Sequence, residues 1–143
     1  MNFPKYFTLK ELVNSDTAKE KNIDNVPNFE HIVNLYRLCD KVLEPARKEL
    51  GRPITVTSGY RSPELNKAVG GVSNSQHLTG CAADLKCTNL VELFDILSEN
   101  PEIDQLLFED NGVTRWIHVS IPEQGKTPRR QINRNYKAYI NHD

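Results

Sequence analysis

The chain has 143 residues, with 18 Lys and Arg against 19 Asp and Glu, so its net charge of −1 offers no single-sign field to attract nucleic acid. That length suits one domain, residues 1–143, built on one ordinary core. No apolar run approaches the thickness of a bilayer, and Met1-Asn2-Phe3-Pro4-Lys5-Tyr6-Phe7 lacks the apolar segment of a secretory signal. Membrane insertion is therefore not expected. Cys39, Cys81 and Cys87 leave one thiol over in any pairing and lack CxxC spacing. All three read as small buried residues of a protein made in a reducing compartment.

Thr8-Leu9-Lys10-Glu11 is a capping-box pattern and predicts a helix to about Glu20. A polar loop follows over 21–27. Asn28 then caps a longer helix, along which Ile32, Leu35, Tyr36, Cys39, Val42, Leu43, Ala46 and Leu50 recur at helical spacing. Pro45 should kink that helix or divide it near Glu44. Ile54 to Ser58 is β-branched and alternating, hence a strand.

Ser62-Pro63 caps a short helix through Ala68, and Gly70 to Ser75 is a flexible loop. In the strand Cys81 to Cys87, Ala82, Asp84 and Lys86 share one face and Cys81, Ala83, Leu85 and Cys87 the other. Asn89 with Glu92 starts a helix to Glu99, and Asn100-Pro101 stops it. Gln105–Asp110 and Trp116–Ile121 form a hairpin around Asn111-Gly112. Residues 122–143 carry Lys126, Arg129, Arg130, Arg134 and Lys137 and read as a solvated basic tail, attraction to an acidic polymer being the alternative. The sum is an α+β domain: a small antiparallel sheet with flanking helices.

The chemistry concentrates in Ser75-Gln76-His77-Leu78-Thr79-Gly80-Cys81-Ala82-Ala83-Asp84 and in Trp116-Ile117-His118-Val119-Ser120. His77, Asp84 and His118 make a three-ligand set for one Zn²⁺, leaving a fourth position open for water, as catalytic zinc sites do. An aspartate in an apolar strand needs a partner, and a metal serves. The other two of the four histidines, His31 and His142, stand without a partner at ligand spacing and read as surface or packing residues.

Strand parity points Trp116, His118 and Ser120 one way and Ile117, Val119 and Ile121 toward the core. If Leu106 and Phe108 join that core, Gln105, Leu107 and Glu109 share the face of His118. Glu109 is then the carboxylate near the metal; a one-residue register change would nominate Asp110 instead.

These residues resemble the M15 family of zinc peptidases, which share the Hedgehog/DD-peptidase fold. The resemblance runs from roughly Tyr6 to Ile121 and is carried by Thr57-Ser58-Gly59-Tyr60-Arg61-Ser62, Ser75-x-His77-x6-Asp84 and Trp116-Ile117-His118-Val119-Ser120. It implies a zinc-dependent hydrolase of the peptide bonds in bacterial cell-wall (peptidoglycan) stem peptides, of carboxypeptidase or endopeptidase type. It further implies a zinc-held water as nucleophile and His77, Asp84 and His118 as ligands. Arg61 would bind a substrate carboxylate or polarise the scissile carbonyl, and Ser75 would hold the substrate backbone. Tyr60 and Trp116 are either substrate walls or packing residues.

The nearest look is to small single-domain members often encoded by phages. That implies a monomer synthesised without a signal peptide and reaching the wall at lysis, as an endolysin does, or by another export route. One departure stands out. Many members carry Glu or Asp three residues before the last histidine as general base; here that position is Arg115, which accepts no proton. Either Glu109 fills the role, or the chain is a zinc-containing wall-binding or structural module with little turnover.

Overall fold

A computed structural model describes residues 2–135. The element order is α1 (Leu9–Val13), α2 (Asp16–Lys21), α3 (Phe29–Leu38), a π-helical segment (Cys39–Leu43), α4 (Glu44–Leu50), β1 (Thr55–Ser58), α5 (Pro63–Ala68), a 3-10 turn (Gln76–Thr79), β2 (Ala82–Lys86), α6 (Leu90–Ser98), β3 (Gln105–Asp110), β4 (Arg115–Ser120) and β5 (Gln131–Asn133). The five strands form one sheet in the order β1-β2-β4-β3-β5. The fold is α+β, as expected.

The first helix ends sooner than its pattern suggests. The Thr8–Glu11 capping box forms, but Asn14 turns extended and Ser15 caps a second helix by accepting from the Ala18 N–H. Short polar side chains that bond their own backbone compete with helix continuation, and here they win.

The proline in the long helix acts as expected and leaves a legible trace. Pro45 has no N–H to offer the Lys41 carbonyl, so the preceding turn widens and Glu44 N–H reaches back to Cys39. The Lys41 carbonyl is instead taken by the Asn100 side-chain amide at 2.8 Å. One side chain from the far end of α6 thus satisfies the group that the proline orphans.

The core lies between the helices and one sheet face. Leu35, Leu38, Leu43, Leu85, Leu93, Phe94, Leu97, Leu106, Phe108, Ile117 and Val119 are all buried in it. Alternation along the strands is what puts them there, and it turns Asp84, Leu107, Glu109, Trp116 and His118 to the opposite face. Register is fixed by the pairs Asp84↔His118, Leu107↔His118 and Glu109↔Trp116. The hairpin is closed by Asn111, whose side-chain oxygen accepts from the Val113 and Thr114 N–H groups.

Three further expectations need correction. Residues 122–135 are not a solvated tail: β5 pairs parallel with β3, Ile132 packs against the core, and the sheet is mixed rather than purely antiparallel. Its Arg129 and Arg130 bond the body of the domain; Lys137 and His142 lie outside the described residues. Cys87 is half-buried rather than buried, whereas Cys39 and Cys81 are fully enclosed. Among the described residues no helix is long and apolar enough to cross a membrane.

Candidate metal centre

Asp84 on β2 and His118 on β4 face one another across adjacent strands, and the third group comes from outside the sheet. His77 sits in the 3-10 turn, whose N-terminus Ser75 caps with its hydroxyl on the His77 N–H, and whose C-terminus is Gly80 at φ +82°. A side chain at Gly80 would also drive its Cβ to 2.6 Å from the His31 carbonyl, so this turn can seat against α3 only with glycine there.

The imidazole of His77 is oriented by Gly59. Its Nδ1 is 2.7 Å from the Gly59 carbonyl, which only accepts, so Nδ1 carries the proton. Gly59 in turn is held by contact. The β1–β2 pairing has a bulge between Val56 and Ser58, after which the chain passes under α1, with Tyr60 N–H on the Leu12 carbonyl and Arg61 N–H on the His77 carbonyl. A Cβ on Gly59 would lie 2.1 Å from the Leu12 oxygen.

With Nδ1 committed, Nε2 of His77 is a buried lone pair without a hydrogen-bond partner. It lies 3.3 Å from Asp84 Oδ1, and His118 Nδ1 lies 3.1 Å from the same oxygen. Two ligands at zinc distance from a tetrahedral ion stand about 3.3 Å apart, so the spacing fits the ion. Two imidazole nitrogens thus converge on one carboxylate oxygen. His77, Asp84 and His118 thus form a group whose donor atoms lie within 4.8 Å of one another and could hold a metal ion. Burial alone would raise the Asp84 pKa, but the interactions with His118 and His77 outweigh it and hold the carboxyl well below its ordinary value.

Arg61 braces the carboxylate from the other side. Its Nη2 is 3.3 Å from Asp84 Oδ2, Nε reaches the Ser58 hydroxyl at 3.0 Å, and Nη1 reaches the Asn66 side-chain oxygen at 3.2 Å. Burial pulls the guanidinium below its ordinary pKa while Asp84 works against that, and the group remains a cation. Three of its five N–H groups are used in these bonds, and Arg61 lines the cleft.

That cleft, of about 550 Å³, runs over the sheet face and is lined by Arg61, Ser75, His77, Asp84, Leu107, Glu109, Trp116 and His118, among others. The site residues named from the sequence are therefore brought together, except Tyr60. Tyr60 is 4% exposed, belongs to the core and stacks on the His31 ring at 4.8 Å; of its two readings, it is a packing residue. Asp110 is also turned away, at the exposed end of the hairpin, where it pairs with Arg115 at 3.2 Å.

Three residues of the site region carried no sequence signal. Arg129, from the supposed tail, lines the cleft; Asp104 is buried and accepts from Arg129 and from Gln76; and Gln76 ties the metal-site turn to that pair. An isolated acid, an amide and one of five late cations have no spacing that links them.

A family model described as Peptidase M15 matches residues 5–120. The chain belongs to the peptidase M15 family. Within that family it is similar to the zinc D-Ala-D-Ala carboxypeptidase of Streptomyces albus G, 39% identical over 85 residues, which are 57% of this chain and 31% of that protein. The chain thus spans about a third of the length of the curated relative it matches. The M15 match ends at residue 120, so the strap that carries Arg129 lies beyond it.

Proposed function

We propose that this M15 member is a zinc-dependent peptidase acting on peptidoglycan stem peptides, with His77, Asp84 and His118 as the ligands of one zinc ion. The observation that carries the reading is the unpartnered, buried Nε2 of His77, aimed at Asp84 Oδ1 beside His118 Nδ1. The similarity to a zinc D-Ala-D-Ala carboxypeptidase supports both the metal and the substrate class. Zinc, when bound, supplies a Lewis acid that makes a water nucleophilic near neutral pH.

The chain's own residues supply the rest. Glu109 is the general base: it lines the cleft opposite Trp116, on the diagonal from His118, where Cα atoms stand about 7–8 Å apart and a glutamate side chain closes the gap. It takes a proton from the attacking water and returns it to the leaving amine. Arg61 directs its two remaining N–H groups at the carbonyl oxygen as negative charge develops, or at a substrate carboxylate. Trp116 walls the cleft, and Ser75 holds the turn that presents His77. The engagement of Asp110 with Arg115 favours Glu109 over its neighbour.

The test is cleavage of stem peptides by metal-stripped and zinc-restored protein, beside His118→Ala. Cleavage that returns with zinc only in the unsubstituted chain supports the reading. Binding of muropeptides without cleavage would assign the chain to wall binding instead, and survival of cleavage after metal removal would overturn the mechanism.

A further inference from the structure

The cleft has a second cation that the metal centre does not use. Arg129 lies on the strap beyond β4, just before β5, and its side chain is half exposed while Asp104 beneath it is buried. It binds Asp104 through one edge: Nε at 3.0 Å and Nη2 at 2.7 Å from Oδ2, with its backbone N–H at 2.7 Å from Oδ1. Gln76 Nε2 adds a further bond to the same carboxylate at 3.0 Å. Asp104 therefore divides its charge among several donors and serves as a mount for the guanidinium. The Nη1 amino group has no partner among the described residues, and Arg129 lines the cleft.

The strap is held so that this edge stays presented. Arg130 adopts φ +58°, a left-handed conformation uncommon for a side-chain-bearing residue. Its guanidinium turns away to the carbonyls of Ser98 and Asn100 at the end of α6, where the helix dipole favours a cation. Gln131 N–H bonds the Asp104 carbonyl and β5 continues along β3. Consecutive arginines are thus pinned to different acceptors.

Arg61 and Arg129 bracket the cleft. Arg61 braces Asp84 on β2, whereas Arg129 is anchored on Asp104 at the start of β3, on the other side of β4.

We propose that Arg129 is a specificity residue that binds a carboxylate of the substrate peptide on the far side of the metal from Arg61. The occupant is an acidic peptide, and a stem peptide provides a free glutamyl carboxylate. The assignment rests on the peptidase reading but is separable from it. It concerns substrate selection and leaves the proton transfers to other residues.

The test uses the zinc-loaded chain with two synthetic stem pentapeptides, one with its D-glutamyl carboxylate free and one with that group amidated. Affinity is read by calorimetry and cleavage by chromatography. The acidic peptide is expected to be favoured by about 10- to 100-fold in Kd and in KM, with kcat little changed. Arg129→Gln should erase the preference. The ratio between peptides is a property of folded molecules, so partial unfolding does not mimic this. Arg129→Lys, which keeps a cation but loses the fork, should lower the ratio several-fold, and Lys126→Gln, whose side chain is 72% exposed and paired with Glu123, should leave it unchanged. An equal affinity of the unsubstituted chain for both peptides, or a ratio untouched in Arg129→Gln, overturns the assignment. If neither peptide is cut while the Arg129-dependent affinity ratio persists, the peptidase reading fails and the assignment of Arg129 stands. If both are cut equally well, the reverse holds.

Discussion

His77 donates its Nδ1 proton to the Gly59 carbonyl at 2.7 Å, and that one bond decides which nitrogen of the ring is left for a cation. It ties the metal-site turn to the SGYRS segment, two pieces of chain 18 residues apart in sequence. Because the Gly59 backbone is itself pressed against Leu12, the orientation of His77 depends on packing at α1.

Gly59→Ala is accordingly expected to weaken zinc binding without touching a ligand. The added methyl cannot fit 2.1 Å from the Leu12 oxygen, so the Gly59 carbonyl must move. Loss of a bond that orients a metal-binding histidine costs about 10- to 100-fold in affinity. Competition with a chromophoric chelator measures this, and an unchanged affinity would refute the role given to Gly59.

Each of His77→Ala, Asp84→Ala and His118→Ala should abolish the thermal stabilisation that zinc gives. At about 100 times its Kd a ligand adds about 2.7 kcal/mol to the folded state. Thermal scans with and without zinc read the difference directly. A variant that keeps the full zinc shift does not lack a ligand.

Glu109→Gln should lower kcat by about 10²- to 10⁴-fold while one zinc remains bound. Asp110→Asn, at the exposed hairpin end, should leave kcat within about twofold and reduce stability little, as surface pairs contribute about 0–1 kcal/mol. The opposite pattern would shift the base to Asp110.

The Asp104–Arg129 contact gives a pH signature. Burial raises the Asp104 pKa, but the hydrogen bonds from Arg129 and Gln76 outweigh it and hold the carboxyl below its ordinary value. A depressed folded pKa contributes stability above the unfolded value, about 3.9, which fades as pH falls through the folded one. Asp104→Asn should therefore cost about 1–3 kcal/mol at pH 7, and the gap should begin to narrow as pH falls below about 4. Paired denaturant titrations at pH 7 and pH 3 check it; a constant gap contradicts the ion pair's contribution.

Much of the sheet was legible because alternation in β2, β3 and β4 leaves one register that buries Leu85, Leu106, Phe108, Ile117 and Val119 together. That same parity carried Glu109 to the cleft. The strap was not legible. Gln131-Ile132-Asn133 has a single apolar residue, and its parallel partner β3 lies more than twenty residues upstream, so no local pattern announces the pairing. Tyr60 failed as a substrate wall for a related reason: a residue between two glycine- and arginine-marked positions looks functional, but its ring is claimed by His31. The division at Asn14 turned on the Ser15 hydroxyl capping a second helix, a local competition that hydrophobic spacing does not rank.

The most direct test of the central claim is metal analysis of the purified chain combined with cleavage of a stem peptide before and after zinc removal. The account requires one zinc per chain, loss of cleavage on stripping, recovery on adding one equivalent, and neither binding nor recovery in His77→Ala. A chain that cleaves stem peptide equally well without metal, or that binds zinc undiminished when His77 is alanine, would contradict it.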